Sequence, residues 1–288
     1  MRIFDCFMYF DEEIVLDTRL NYLDQYVDYF VIIESCFTHR GDNRKLKFDI
    51  NKFKKFKDKI IYKVFDKIPE KIYQIHEDEK ENTKSGKYIV NALLRENGQR
   101  NYISEGIRDA EDEDMILVSD VDEIPNLSKI NIKEIKEKII LFKQDMFYYK
   151  FNLKLPNLIW TGTKGCKKKY LKSPQWLRDL KFKKRPFWRI DKFRLNNIIE
   201  NGGWHFCNLK TASELLYKYQ NLCETNDQYV FNEKIPDEFL DEKKIKEKIE
   251  QRLDLLGRKE KFKVVEIDNN FPEFLLENLN KYSDWISK

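Results

Sequence analysis

Apolar positions along the first 125 residues follow two alternating rhythms. RIFDCFMYF (residues 2–10), YFVIIES (29–35), KIIYKVF (59–65) and MILVSDVDEIP (115–125) contain short, nearly continuous apolar runs of strand length, the pattern of strands covered on both faces. After the first run, Leu16, Leu20, Leu23, Val27 and Phe30 recur at helical spacing, with Asp11 placed to cap the helix and Glu12 and Glu13 in its first turn. A second helix is predicted over about Lys87 to Ala110, with Ile89, Leu93, Ile103 and Ile107 as its buried stripe and with Glu96 and Arg100 on that same stripe. Strands separated by helices predict an α/β fold: a mostly parallel central sheet with helices on both faces.

Beyond Pro125 the rhythm loosens. A charged helix is expected near Ile132 to Ile140 and a strand over DMFYYKFNL (145–153), followed by a basic stretch and NGGWHFCNL (201–209). Two helices are then expected, in SELLYKYQNL (213–222) and DEKKIKEKIEQRLDLLGR (241–258). No repeat, low-complexity linker or Pro/Gly hinge marks a domain break, so residues 1–288 read as one domain with a second, substrate-facing half from about residue 128.

At 41% hydrophobic and 14% aromatic, the chain is too apolar for disorder despite 36% charged residues. Its N-terminus lacks the long apolar core of a secretory signal, and no run approaches the roughly 20 residues of a membrane helix. Cys6, Cys36, Cys166, Cys207 and Cys223 are scattered and never in a CxxC pair, which suits reduced thiols in a cytoplasm and argues against a zinc site. The net charge of +4 is unevenly placed: Lys164 to Arg194 carries thirteen basic and two acidic side chains, leaving the rest at −7. That asymmetry implies an anionic partner near the stretch, or a solvated basic face.

The chemistry concentrates where an apolar strand ends in Asp120, Asp122 and Glu123. In an extended segment residues two apart project to one side, so Asp120 and Asp122 can converge on a hard divalent ion, magnesium or manganese, that also takes phosphate oxygens. In such sheets ligands bind beyond the carboxyl ends of the strands. Asp-x-Asp also occurs by chance, and acids at strand ends are ordinary helix caps. No GxGxxG, GxxxxGK[ST] or GxSxG is present. A haloacid-dehalogenase-like phosphatase and a nucleotide-sugar transferase remain, the second fitting the order of elements better; a non-catalytic glycan-binding protein is the third reading.

IFDCFMYFDEE, LDTRLNYLDQYVDYFVIIES with Thr38 and Gly41 behind it, GQRNYISEGI, ILVSDVDEIP and GGWHF together resemble glycosyltransferase family 17, that of the bisecting β-1,4-N-acetylglucosaminyltransferases and their bacterial and viral relatives. The resemblance spans about Arg2 to Leu222. It implies a GT-A type fold with a nucleotide-sugar-binding half to about residue 127, a UDP-sugar donor (UDP-N-acetylglucosamine in the best-known members), a divalent metal (manganese or magnesium) and inversion at the anomeric carbon. It places the metal motif on Asp120 and Asp122, donor contacts on Glu34, Ser35, Gln99, Arg100 and Asp120, and GGWHF on Gly202 to Phe206. There Trp204 can stack on a sugar and His205 can ligate metal or touch phosphate. Where relatives carry His-x-Glu after the next helix, this chain has NLCETND, with Glu224 its nearest acid.

An inverting transfer needs a base for the acceptor hydroxyl. Glu200 is the first candidate, with Asp179 and Glu224 as rivals. The acceptor is expected to be a glycan, glycolipid or glycoprotein. Aromatics among the basic residues (Tyr170, Trp176, Phe182, Phe187, Trp188) suit sugar stacking, and the stretch 164–194 suits peripheral contact with an anionic membrane. Nucleic acid is the least expected partner, because the acidic remainder would repel it.

Overall fold

The structure is a computed structural model and describes residues 1–181, 197–221, 241–255 and 261–288. Its first half reproduces the alternating pattern: β1 (Ile3–Tyr9), α1 (Glu13–Leu23), β2 (Tyr29–Ser35), β3 (Ile60–Phe65), α2 (Glu81–Asn101), α3 (Ile103–Gly106), β4 (Met115–Asp120) and β5 (Glu123–Pro125). The second half contains β6 (Ile139–Tyr148), β7 (Leu153–Lys167), α4 (Pro174–Asp179), β8 (Asn197–Ile199), β9 (Gly203–Cys207), α5 (Ala212–Asn221), α6 (Glu242–Glu250), β10 (Lys263–Val264) and α7 (Glu273–Glu277).

All ten strands join one mixed sheet with the path β3-β2-β1-β4-β7-β6-β9-β5; β10 pairs with β7 and β8 with β6. The first four strands are parallel, as expected. β7 runs antiparallel to both β4 and β6, while β6 is again parallel to β8 and β9, so the sheet is mostly parallel with antiparallel strands interposed in its second half.

Alternation along the parallel strands sorts their side chains onto two faces. Ile3, Phe7, Phe30, Ile32, Met115 and Leu117 meet Leu16, Leu20 and Leu23 of α1 and Leu275 of α7. Phe4, Cys6, Val31, Ile33, Ile116 and Val118 meet Ile103 and Ile107 near α3 and Leu177 of α4. Helices therefore cover both faces, and this is why the strands read as continuous apolar runs. A third cluster joins Met146, Tyr148 and Leu153 to Leu215 of α5, Ile245 of α6 and Phe262.

Several elements differ from expectation. The strand expected over residues 145–153 is the end of β6, a turn and the start of β7, and the helix expected from residue 241 is α6, which ends at Glu250. The helix predicted to begin near Lys87 and run to Ala110 starts at Glu81 and ends at Asn101, with Ile103 and Ile107 anchored in and just after α3; Leu93 is exposed. The charged helix expected over Ile132 to Ile140 is a single turn at Ile132–Glu134 followed by β6, because Ile139 to Phe142 are buried as a strand. In α1, Glu12 rather than Asp11 sits at the N-terminus, and its Oε2 accepts the backbone N–H groups of Phe10 and Asp11 at 3.0 Å each.

Candidate functional site

β1 and β4 lie side by side, and the chain leaves β1 toward β2 on the opposite side from β4. The crevice beyond the carboxyl ends of such a strand pair is where open α/β sheets bind ligands. A cleft of about 230 Å³ opens there. Met8 to Phe10 and Glu12, at and after the end of β1, enter it, as do Asp120, Val121 and Asp122 at and after the end of β4, and α2 contributes Glu96, Gln99 and Arg100. His39, His205 and Lys218 complete its wall.

The acidic turn after β4 is braced from beneath by a fully buried ion pair. Arg19 of α1 donates from Nε and Nη2 to Asp5 of β1, at 2.8 and 2.6 Å. Its Nη1 donates to the carbonyls of Asp120 and Val121 at 3.1 Å and of Glu123 at 2.9 Å, and Nη2 also reaches Ser119 Oγ at 2.5 Å. Three carbonyls held by one guanidinium fix the backbone that presents Asp120 and Asp122. Glu123 braces the same turn: it is buried, accepts the Asp120 N–H at 3.0 Å, and accepts Trp160 Nε1 at 2.6 Å and Arg178 Nη2 at 2.7 Å.

Asp120 faces two guanidiniums, Arg100 Nη2 at 3.0 Å on Oδ1 and Arg178 Nη2 at 2.7 Å on Oδ2. Burial would push this carboxyl up, but Arg178 and Arg100 outweigh it and hold Asp120 well below the usual carboxylate range. Arg100 also donates to Glu96 at 2.8 Å and to Gln175 Oε1 at 2.6 Å, which leaves its buried Nε without a partner. Asp122 Oδ1 lies 3.3 Å from His205 Nε2, and Cys207 Sγ lies 2.9 Å from that same nitrogen. Burial opposes charge on both Asp122 and His205. Around His205, Cys207 and then Asp122 push the imidazole pKa well above its ordinary value; His205 in turn lowers that of Asp122.

GGWHF positions His205 by backbone approach. Gly203 has φ +134°, and a Cβ there would lie 2.1 Å from the Ile124 carbonyl oxygen. The glycine lets β9 pair with β5 in the register Pro125↔Gly203, Ile124↔Trp204 and Glu123↔His205, and the Phe206 N–H donates to the Asp122 carbonyl at 2.8 Å. The close approach is thus strand to strand. Trp204 is 5% exposed, stands edge-on to Tyr22 and donates to the Asn270 carbonyl at 2.9 Å, so it belongs to the core behind the cleft and not to a sugar-stacking surface.

Glu34 and Ser35 are not in the cleft wall. The Glu34 carboxylate accepts Arg44 at 2.9 Å, the N–H groups of Lys47 and Phe48 at 2.6 and 3.0 Å, and Tyr62 OH at 2.9 Å, so it organises the loop before β3. Ser35 Oγ accepts the Phe37 N–H at 3.0 Å. Gln99 lines the cleft and is anchored by donating to the Ile33 carbonyl at 3.0 Å.

Of the base candidates, Glu200 is exposed, pairs with Lys143 at 2.5 Å and is not in the cleft wall. Asp179 accepts Gln175 Nε2 at 2.8 Å, and Gln175 in turn holds Arg100. Glu224 lies outside the described residues, as do Phe182, Phe187, Trp188 and the basic residues from Lys183 to Arg194. In the described part of the basic stretch, Lys167 and Lys169 pair with Glu113, and Lys164 donates to the Arg178 carbonyl. Among the described residues no helix is long and apolar enough to cross a membrane.

Arg19, Arg178 and Cys207 were not singled out by the sequence. Ser173-Pro174 does announce the short helix that carries Arg178, with Ser173 Oγ accepting the Trp176 N–H at 3.1 Å. Cys207 stands two residues after His205 in a strand, a spacing that places both on one side. Compared with known protein families, residues 1–283 match glycosyltransferase family 17. No curated protein matches the chain.

Proposed function

The chain belongs to glycosyltransferase family 17, and we propose that it moves a sugar, N-acetylglucosamine, from a UDP-sugar to a glycan, glycolipid or glycoprotein acceptor, with inversion and with the help of a divalent metal. The observation that carries this reading is that Arg100 and Asp122 both line one cleft at the switch point between β1 and β4. The strand order β3-β2-β1-β4, continued by an antiparallel neighbour, supports a GT-A type arrangement in which that cleft takes the nucleotide sugar.

Arg100 is the diphosphate contact in this reading. Asp120, Glu96 and Gln175 hold its guanidinium plane and take three of its five N–H groups, so the Nε–H and the second Nη1–H are the donors left for a phosphate oxygen. The donor set fits a divalent ion at Asp122 and His205, while both oxygens of Asp120 already face arginines. An ion held there would supply positive charge to the leaving diphosphate. Fixed guanidiniums add to that stabilisation without reorganising as charge develops.

For the base, neither Glu200 nor Asp179 lines the cleft; Asp179 is linked to it through Gln175 and Arg100, whereas the Glu200–Lys143 pair is not, so Asp179 is the candidate to test first. The test is UDP release from UDP-N-acetylglucosamine in manganese, with and without a pool of glycan acceptors. Arg100→Ala is expected to lower kcat/KM by about 100-fold or more, as for loss of one charge-stabilising donor. Full turnover in Arg100→Ala would remove the diphosphate assignment, and full turnover in Asp179→Asn would remove the base.

A further inference from the structure

Three Lewis-basic atoms of different chemistry converge beside the cleft. Asp122 Oδ1, His205 Nε2 and Cys207 Sγ all lie within 4.8 Å of one another, and among the described residues they are the one such group of three or more. Asp120 is not part of it. Asp122 comes from the braced turn after β4, whereas His205 and Cys207 occupy one side of β9 two residues apart. The β5–β9 register and the Phe206 N–H on the Asp122 carbonyl fix the two segments against each other.

The arrangement around the imidazole distinguishes two uses of a Cys-His-Asp set. A nucleophilic relay uses both ring nitrogens, one toward the sulfur and the other toward the carboxylate. Here sulfur and carboxylate both approach Nε2, at 2.9 and 3.3 Å, while buried Nδ1 has no partner. One nitrogen carries one proton at most and cannot serve two acceptors fully. A cation at the point of convergence satisfies all three at once. Bond lengths of about 2.0 Å to N and O and 2.3 Å to S put tetrahedral ligand atoms roughly 3.2–3.6 Å apart. The Asp122–His205 spacing already meets this, and the Cys207–His205 spacing meets it after opening by about half an ångström.

We propose that Cys207 is the third protein ligand of the divalent ion, with Asp122 and His205, and that the site therefore takes a borderline transition ion such as zinc or cobalt in preference to magnesium. The inference rests on the transferase reading for what the ion does, but not for its ligands. Mixed O, N and S donors suit such ions, whereas magnesium demands oxygen. Three protein ligands leave one position open, as in catalytic rather than structural sites. Asp122 and His205 line the cleft, so an ion held by them would lie beside the space assigned to the diphosphate. Lys218 shares this wall and adds a positive charge, opposed by Glu12 on the same wall.

The test uses the full chain, reduced and stripped of metal, titrated with cobalt(II) and followed by absorbance. A near-ultraviolet thiolate-to-cobalt charge-transfer band should saturate at one equivalent, be displaced by zinc, and persist in excess magnesium. In Cys207→Ser the band should vanish and cobalt affinity fall by about 10-fold or more, with Cys6→Ser as the control that retains the band. No band in the native chain, or an unchanged one in Cys207→Ser, overturns the proposal. UDP release in manganese by the native chain separates the two claims: turnover by a native chain that gives no band leaves the transferase intact and sinks only the thiolate ligand, whereas a normal band with no UDP release retains the site and sinks the transferase.

Discussion

Arg19 shows how much of the site is decided by a residue that never reaches the cleft. Its charge and that of Asp5 are both fully buried, and the guanidinium also carries the carbonyls of Asp120, Val121 and Glu123. Breaking a buried pair leaves the other charge uncompensated, so Arg19→Met should cost about 3–5 kcal/mol in urea unfolding, with part recovered in Arg19→Met/Asp5→Leu. A loss below about 1 kcal/mol would contradict the bracing role. Lys164 offers a test by pH. Burial first, and then Arg178, push its ammonium down to about 8 from 10.5. Between those values the unfolded chain binds a proton that the folded chain does not, so stability should rise with pH across that window relative to Lys164→Met. A flat difference between the two proteins would show that Lys164 titrates normally. At this scale Arg100 was legible, because a charged residue on the inward stripe of a helix demands a partner. The surroundings of Glu34 were not legible, because its four protein donors come from Arg44, Lys47, Phe48 and Tyr62, none of which sequence spacing assigns to it.

Elements carry the site through their register. With φ +134° and the Ile124 carbonyl where a Cβ would stand, Gly203 is required for β9 to lie against β5. Gly203→Ala should destabilise by at least about 1–3 kcal/mol and should weaken cobalt and UDP binding together, since it displaces His205. Gly86, in α2 with nothing near its Cβ position, is the control: Gly86→Ala should stabilise by about 0.5–1 kcal/mol. Equal effects of the two substitutions on thermal unfolding would refute the register account. The parallel strands were legible because each is apolar on both faces. Helix limits were not: Ile103 and Ile107 continue an apolar stripe that the chain breaks after Asn101, and the charged run before Ile139 has helical composition but no face to bury.

For the whole molecule, topology decides where chemistry can occur. The crossover from β1 to β2 on one side and the return to β4 on the other open a cleft at the strand ends, and the second half of the chain closes it by bringing in α4 with Arg178 and β9 with His205 and Cys207. The first contribution follows from the strand-helix alternation of the sequence; the second depends on long-range pairings that no local pattern encodes. Membership of glycosyltransferase family 17 gives the class of reaction, and the cleft gives the site at which a UDP-sugar is proposed to bind. The most direct test is thermal unfolding with and without UDP, each in manganese and in chelator, for the native chain and Asp122→Asn. At about 100 times its dissociation constant UDP should add roughly 2.7 kcal/mol to stability, and should do so only with metal and only with Asp122 intact. An unfolding midpoint indifferent to UDP in every condition would contradict the account at its centre.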